Sequence, residues 1–307
     1  MDHTRFLIIG ASGRVGAHLY RTLSPQRAVA TYCNTPLAGG VRFDATRMRL
    51  ADSVLRAGTR YSHAFLLHGV TNIDACSLDT EAASRLNVEA MRQLVDDLVE
   101  RGIVPVFASS DAVFDGAQGR LTEDDAARPV MMYGRQKLEI ERYLAERAPQ
   151  AIVVRLAKVV GTGDAGSDML EQWLAMLDAG REIACARDQV FTPIHVDDAV
   201  RAFIGLAEGG HRGLFHAGGP DVVTRLQLLR LLLSHAKPYL AQTPRIRECS
   251  LNDLPFAEPR PLDASMASDK LYRALGWQPM GMDEACRRAV ASHYGAVDAR
   301  AAAGATR

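Results

Sequence analysis

Short apolar runs and helical stripes alternate along the first half of the chain. Phe6-Leu7-Ile8-Ile9 is an apolar run that ends at Gly10, the pattern of a buried strand. From Arg14 the period lengthens, with Val15, Leu19 and Leu23 at helical spacing. Residues 28–32, 64–67, 103–108 and 151–160 read as further strands, and 41–43 as a shorter strand-like piece. Residues 80–101 carry an amphipathic stripe through Leu86, Met91, Leu94, Val95 and Leu98, closed by Gly102. Another helix is predicted from 133 to about 147. Strands alternating with helices predict a parallel sheet covered on both faces: α/β, a Rossmann-type doubly wound fold.

After Gly161 the pattern changes. Residues 169–177 look helical, and 188–194 lead into His195-Val196-Asp197-Asp198, where Asp197 or Asp198 begins a helix to about 208. A short strand at 214–217 and an apolar helix at 226–233 follow, then an irregular, Pro-punctuated stretch at 238–261. The expected division is a dinucleotide-binding domain of residues 1–161 plus about 196–217. A smaller, mixed C-terminal substrate domain takes about 162–195 plus 218–295. No low-complexity linker separates the two, so they should pack directly. Residues 296–307, rich in Ala and Arg without an apolar stripe, read as a loose tail.

The turn Gly10-Ala11-Ser12-Gly13-Arg14-Val15-Gly16 joins the first strand to the first helix. Glycine lets the backbone turn sharply and lets a pyrophosphate approach the N–H groups at a helix start. Three glycines alone also make a tight turn that binds nothing; the strand before and helix after are the context of a dinucleotide site. Such sites for NAD carry an acid about 20 residues further on, against the adenosine ribose. Here no Asp or Glu occurs between Asp2 and Asp44. Nothing therefore repels a 2′-phosphate, and Arg14, Arg27 and Arg42 are candidates to pair with it, unless they are solvated surface arginines. NADP(H) is the preferred expectation, with NAD(H) allowed. Asp44 can accept from an adenine amino group or cap the next helix. His68 ends a strand and reads as a structural histidine or, less readily, a base.

Composition narrows the class. Lys+Arg and Asp+Glu are 36 each, so no net charge draws the chain to nucleic acid or an anionic membrane. Residues 1–5 lack the pattern of a signal peptide, and no apolar run is long enough to span a bilayer. Cys33, Cys76, Cys185, Cys249 and Cys286 are scattered without C-x-x-C spacing. They read as free thiols of a cytoplasmic protein, with no metal site expected.

Tyr133 and Lys137 are four apart and share one helix face. A lysine ammonium near a tyrosine favours the phenolate and can also hold the ribose hydroxyls of a nicotinamide. Ser109-Ser110-Asp111 end a strand, at the sheet edge where α/β folds bind ligands. Ser110 can hydrogen-bond a substrate carbonyl while Tyr133 delivers a proton to its oxygen.

Taken together, the glycine turn, Ser110 and Tyr133-Gly134-Arg135-Gln136-Lys137 resemble the extended short-chain dehydrogenase/reductases. The closer resemblance is to the dTDP-4-dehydrorhamnose reductases and their sugar-nucleotide-binding relatives. It is carried by Ser109 to Gly116, Tyr133 to Glu139, Thr71-Asn72-Ile73-Asp74, Asn87-Val88, Arg155 with Gly161, and Arg260-Pro261-Leu262. The resemblance implies Ser110, Tyr133 and Lys137 as catalytic residues, and Asn87 as a structural asparagine beside them. Cofactor contacts are placed at Gly10, Ser12, Gly13, Arg14, Val15, Gly16, Asp44, Ala45, Leu67, His68, Gly69, Tyr133 and Lys137. Substrate contacts are placed at Thr71, Ser110, Asp111 and Arg260. Two positions depart from the family: Ala112 stands where an aromatic residue is usual, and Lys158 where Trp is. His195 to Asp198 looks more like the epimerases, and Asp111-Ala112 lacks the Asp-Glu of the dehydratases. The implied function is an NADP(H)-dependent reductase of a 4-keto nucleotide sugar, with a homodimer allowed. The alternatives are a nucleotide-sugar epimerase and a non-catalytic NADP-binding subunit like the regulatory subunit of methionine adenosyltransferase.

Overall fold

The computed structural model describes residues 5–55, 59–161 and 168–304. β1 (Arg5–Ile9) leads through the glycine turn to α1 (Arg14–Arg27), β2 (Ala28–Tyr32) and β3 (Val41–Arg42). α2 (Leu50–Ser53), β4 (Tyr61–Leu66), α3 (Ile73–Leu78) and α4 (Thr80–Ser84) follow. A π-helical turn, Arg85–Glu89, joins α4 to α5 (Ala90–Val99). Next come β5 (Val104–Ser110), α6 (Met132–Arg147), β6 (Ile152–Leu156) and β7 (Val159–Val160). α7 (Met169–Asp178), β8 (Ile183–Ala186), β9 (Val190–Phe191), β10 (Ile194–His195) and α8 (Val196–Glu208) continue the chain. It ends with β11 (Gly213–Ala217), β12 (Val223–Thr224), α9 (Arg225–Ala236), β13 (Ile246–Cys249), α10 (Asp269–Leu275) and α11 (Met282–Gly304).

Seven strands form one sheet in the order β11-β6-β5-β4-β1-β2-β3. Every neighbouring pair in it is parallel. The order reverses between β1 and β4, which opens a crevice at their carboxyl ends. Alternation along β1 sends its side chains to opposite faces. Phe6 and Ile8 pack with Leu19 and Leu23 of α1 and with Val200, Phe203 and Leu206 of α8. Leu7 and Ile9 pack with Leu94, Val95 and Leu98 of α5 and with Ile140 and Leu144 of α6. α8 returns from late in the sequence to cover the first face, because its apolar stripe has that sheet to bury against.

A third core gathers Trp173 and Leu174 of α7, Leu228, Leu229 and Leu232 of α9, and Ala285 and Ala289 of α11. They lie over Ile183 and Cys185 of β8, which pairs in parallel with β13. β9 pairs antiparallel with β12, so the small sheets here are mixed.

Two expectations change. α8 starts at Val196, and its cap is His195, whose Nδ1 accepts from Asp197 N at 3.2 Å. Asp197 and Asp198 instead occupy the first turn, where carboxylates suit the helix dipole. At the other end of the chain α11 continues to Gly304, into the segment expected to be a loose tail. Alanine's high helix propensity extends a helix already anchored by its first turns. Among the described residues no helix is long and apolar enough to cross a membrane. All five cysteines are free thiols.

Candidate active site

The glycine turn is shaped by two close approaches. A Cβ on Gly10, whose φ is +89°, would lie 2.7 Å from the backbone nitrogen of His68. One on Gly16 would lie 2.4 Å from the carbonyl of Gly10. Gly13 has only that same carbonyl within 4 Å, at 3.5 Å, so the turn is open on its side. Gly13 is the N-cap of α1, which has no side-chain cap and no acid in its first turn. Side chains therefore leave the positive end of the helix dipole uncompensated, which suits an anionic diphosphate. The turn thus fits a dinucleotide.

The arginines separate by position. Arg14 Nη1 donates to Val159 O at 3.1 Å and to Asp168 Oδ2 at 3.0 Å, tying the glycine turn to the second region. Arg27 is ruled out as a partner for a 2′-phosphate. It lies at the amino end of β2, paired with Glu208 and set over the Phe6 ring. Arg42 is exposed on β3. Asp44 caps no helix; it accepts from Thr46 N at 3.0 Å and Thr46 Oγ1 at 2.7 Å, and that hydroxyl leads in holding its carboxyl below the usual range. The neighbouring Ala45 is buried and Ser12 is exposed. Leu67 N donates to Ile9 O at 2.9 Å, extending the β1–β4 pairing to the turn.

His68 follows directly. Both of its ring nitrogens are buried and unpartnered among the described residues. Burial first, then the Lys137 charge, pushes its pKa down to about 3. The ring is neutral at physiological pH and a very weak base. Gly69 (φ +145°) allows Asn87 to approach, since a Cβ there would lie 2.7 Å from Asn87 Oδ1. Asn87 sits in the π-helical turn, a feature that recurs at functional sites. Its amide accepts from Val70 N at 2.8 Å and donates to Val70 O at 3.1 Å and Gln136 Oε1 at 2.8 Å. Asn87 therefore ties the exit of β4 to α6. Thr71 stands exposed in the same loop.

α6 carries Tyr133 and Lys137, both buried. Gly134 sets how close the helix comes to β5, because a Cβ there would lie 1.9 Å from Ala112 O. Ser110 ends β5, and its Oγ donates to Asp111 Oδ1 at 2.9 Å and accepts from Ala112 N at 3.2 Å. Burial raises Asp111 to about 6 against the lowering effect of the Ser110 hydrogen bond. Lys137 Nζ donates to Ala108 O at 2.7 Å, 5.5 Å from the Tyr133 ring centroid and 4.6 Å from that of Phe107. Burial lowers its pKa to about 8.

The expected effect of Lys137 on the phenol does not dominate. Burial, then the Asp111 charge and Cys76, push Tyr133 above the ordinary tyrosine value. The ammonium is held at the Ala108 carbonyl, beside the ring face. Tyr133 therefore stays protonated, the form that a proton donor needs.

Arg260 is already engaged. It donates to Asp74 and to Met131 Sδ at 3.3 Å, and its guanidinium lies 4.7 Å from the Phe256 ring centroid. Glu258, two residues earlier, accepts from Met132 N through Oε1 at 3.0 Å and Oε2 at 3.2 Å. The segment 256–260 is thus a strap over the first turn of α6. Sequence reasoning missed Glu258 and gave no separate role to Asp74 or Gly134, though both lie in segments that carry the resemblance. Only the glycine beside Tyr133 left a signal, an unusual residue inside a helix.

Comparison with known proteins identifies the family. Residues 4–294 match the family model described as RmlD substrate binding domain. A dTDP-4-dehydrorhamnose reductase of Mycolicibacterium smegmatis is 30% identical over 299 residues, covering 95% of this chain and 86% of that protein. The structure of MoeE5 in complex with UDP-glucose and NAD superposes with a TM-score of 0.80 at 24% identity, over 95% of this chain and 99% of that one. A Bacillus anthracis dTDP-4-dehydrorhamnose reductase in complex with NADP gives 0.78 at 18% identity, over 93% and 98%. At those identities the two structures show the fold alone. The family match, by contrast, runs over nearly the whole chain: this protein belongs to the RmlD substrate binding domain family, within the extended short-chain dehydrogenase/reductases.

Proposed function

We propose that the chain is an NADP(H)-dependent oxidoreductase that reduces the ketone of a 4-keto nucleotide sugar. The observation that carries this reading is the convergence of Ser110, Tyr133 and Lys137 at the carboxyl edge of the sheet, beside an open glycine turn. Bound NADPH supplies the hydride. Lys137 holds its ribose hydroxyls and the open α1 terminus its diphosphate, a reading supported by the uncapped start of that helix. Tyr133, kept protonated, delivers its proton to the ketone oxygen. Ser110 turns its hydroxyl from Asp111 to that oxygen and fixes its position. The relatives' names support a nucleotide-sugar substrate. The absence of any acid between Asp2 and Asp44 favours NADPH over NADH.

The test is a screen of 4-keto nucleotide sugars for NADPH oxidation, with titration of NADPH and NADH into dialysed protein. Stoichiometric NADPH consumption and tighter NADPH binding are expected. Sugar interconversion with a cofactor that survives dialysis would assign the chain to the epimerases instead. A clear NADH preference would sink the cofactor assignment.

A further inference from the structure

Lys158 follows β6 at the carboxyl edge of the sheet. Leu156, two residues before it, is in register with Ser110 on the neighbouring strand. Its backbone is fixed on both sides: Ile194 N donates to Lys158 O at 3.0 Å, and Arg14 holds the next carbonyl, Val159 O, at 3.1 Å. The side chain is exposed, although desolvation by the surrounding protein still lowers its pKa. Among the described residues it makes no hydrogen bond and no ion pair.

A second cation, Arg225, stands nearby, over Trp173, which packs in one core with Val160, two residues past Lys158. Arg225 opens α9, its Nη1 3.4 Å from Gln189 Oε1 and its guanidinium 5.7 Å from the Trp173 ring centroid. Its Nε is buried and unpartnered, and no carboxylate pairs with it among the described residues. The half-buried guanidinium also donates to the Cys185 thiol, a neutral partner that leaves its charge unbalanced. After burial, the groups acting most strongly on Lys158 are Arg225, Arg14, Asp111 and Asp168. Asp168 is taken by Arg14. Three cations, counting Lys158, against two carboxylates leave the cleft one positive charge in excess.

We propose that Lys158 and Arg225 form an anion-binding subsite of the substrate cleft, one that takes a carboxylate carried on the sugar itself. The proposal rests on the nucleotide-sugar reading. The location selects the sugar rather than its diphosphate. Lys158 comes two residues after Leu156, the register partner of Ser110, so it stands at the reacting end of the site. A nucleotide diphosphate is a pyranose ring's width away from the reacting C4 carbon.

The test uses the full chain loaded with NADPH, and glucose and glucuronic acid, each as its UDP and dTDP ester. These probes differ only in the carboxylate at C6. Calorimetric titration should show the acid binding about tenfold more tightly, the factor one charge-assisted hydrogen bond supplies. Lys158→Met should remove that preference while leaving the neutral esters and NADPH unchanged, and Lys158→Arg should keep it. Equal binding of acid and neutral sugar overturns the subsite but leaves the nucleotide-sugar reading standing. Lys158→Met weakening both sugars equally assigns the cations to the diphosphate, and weakening NADPH alone assigns them to the cofactor; either result overturns the proposal. If NADPH binds and no ester does, the nucleotide-sugar reading falls and takes the subsite with it.

Discussion

At the scale of single residues, burial sets the protonation of the site more than pairing does. Tyr133 is driven toward the neutral phenol, Asp111 toward the neutral acid and Lys137 toward the neutral amine, each with burial as the leading cause. A crevice that excludes water in this way strengthens the interactions made inside it. It also makes the role of Tyr133 testable with little structural disturbance. Tyr133→Phe keeps the buried ring and loses only the hydroxyl. Turnover should fall about 10²–10⁴-fold, the usual contribution of a general acid, while NADPH affinity and the urea midpoint hold. Steady-state kinetics with a cofactor titration measure this; near-normal turnover would make Tyr133 a packing residue.

At the scale of elements, the site depends on how closely α6 lies against the end of β5. Helix periodicity predicts α6, and an apolar run predicts β5. Nothing in either pattern gives the distance between them. Gly134 does, because its missing Cβ is what lets Ala112 O approach. Gly134→Ala must push α6 away from Ser110. Overpacking of this kind costs about 1–3 kcal/mol, and turnover should suffer more than stability because the Tyr133–Ser110 geometry is lost. Urea unfolding beside kinetics checks it, and an active, fully stable variant would show that the helix has room to move. The same limit explains what the sequence left hidden. Buried strands such as Leu7-Ile8-Ile9 and stripes such as Leu94, Val95 and Leu98 declare themselves by period. The π-helical turn around Asn87 lies inside an unbroken helical pattern, and only its backbone bonding, as from Ala90 N to Arg85 O, reveals it. β7, β9, β10 and β12 have two residues each, too few for any period. No spacing in the sequence joins Arg260 to its partner Asp74, which lies far away along the chain.

At the scale of the whole molecule, two clasps join the second region to the first: Arg14 with Asp168, and the strap in which Arg260 meets Asp74 and Glu258 meets Met132 N. If the strap positions α6, Arg260→Ala and Asp74→Asn should each raise KM for the sugar nucleotide, and the double variant should be no worse than the worse single one. Additive effects would mean that Arg260 reaches the substrate independently of Asp74. The molecule's response to acid follows from its buried histidines. Burial takes His68 to about 3 and His216 to about 4, from an ordinary 6.5. Above pH 6.5 both rings are neutral in the folded and unfolded chain, so neither changes stability. Below it, the unfolded chain takes up two protons that the folded chain accepts only near pH 4 and 3, and stability falls. Asp111 acts in the opposite sense, because its folded carboxyl protonates near 6 and its unfolded one near 3.8. His63 and His195 are lowered by burial as well, and Asp168 is raised, so four histidines outnumber two carboxyls and the unfolded state gains the more protons between pH 6 and 4. Urea unfolding at pH 7 and pH 5 should therefore show a less stable protein at pH 5. Asp111→Asn should steepen the loss by removing the opposing group. Stability that is flat or rising on acidification would mean that the two histidines are protonated in the folded chain.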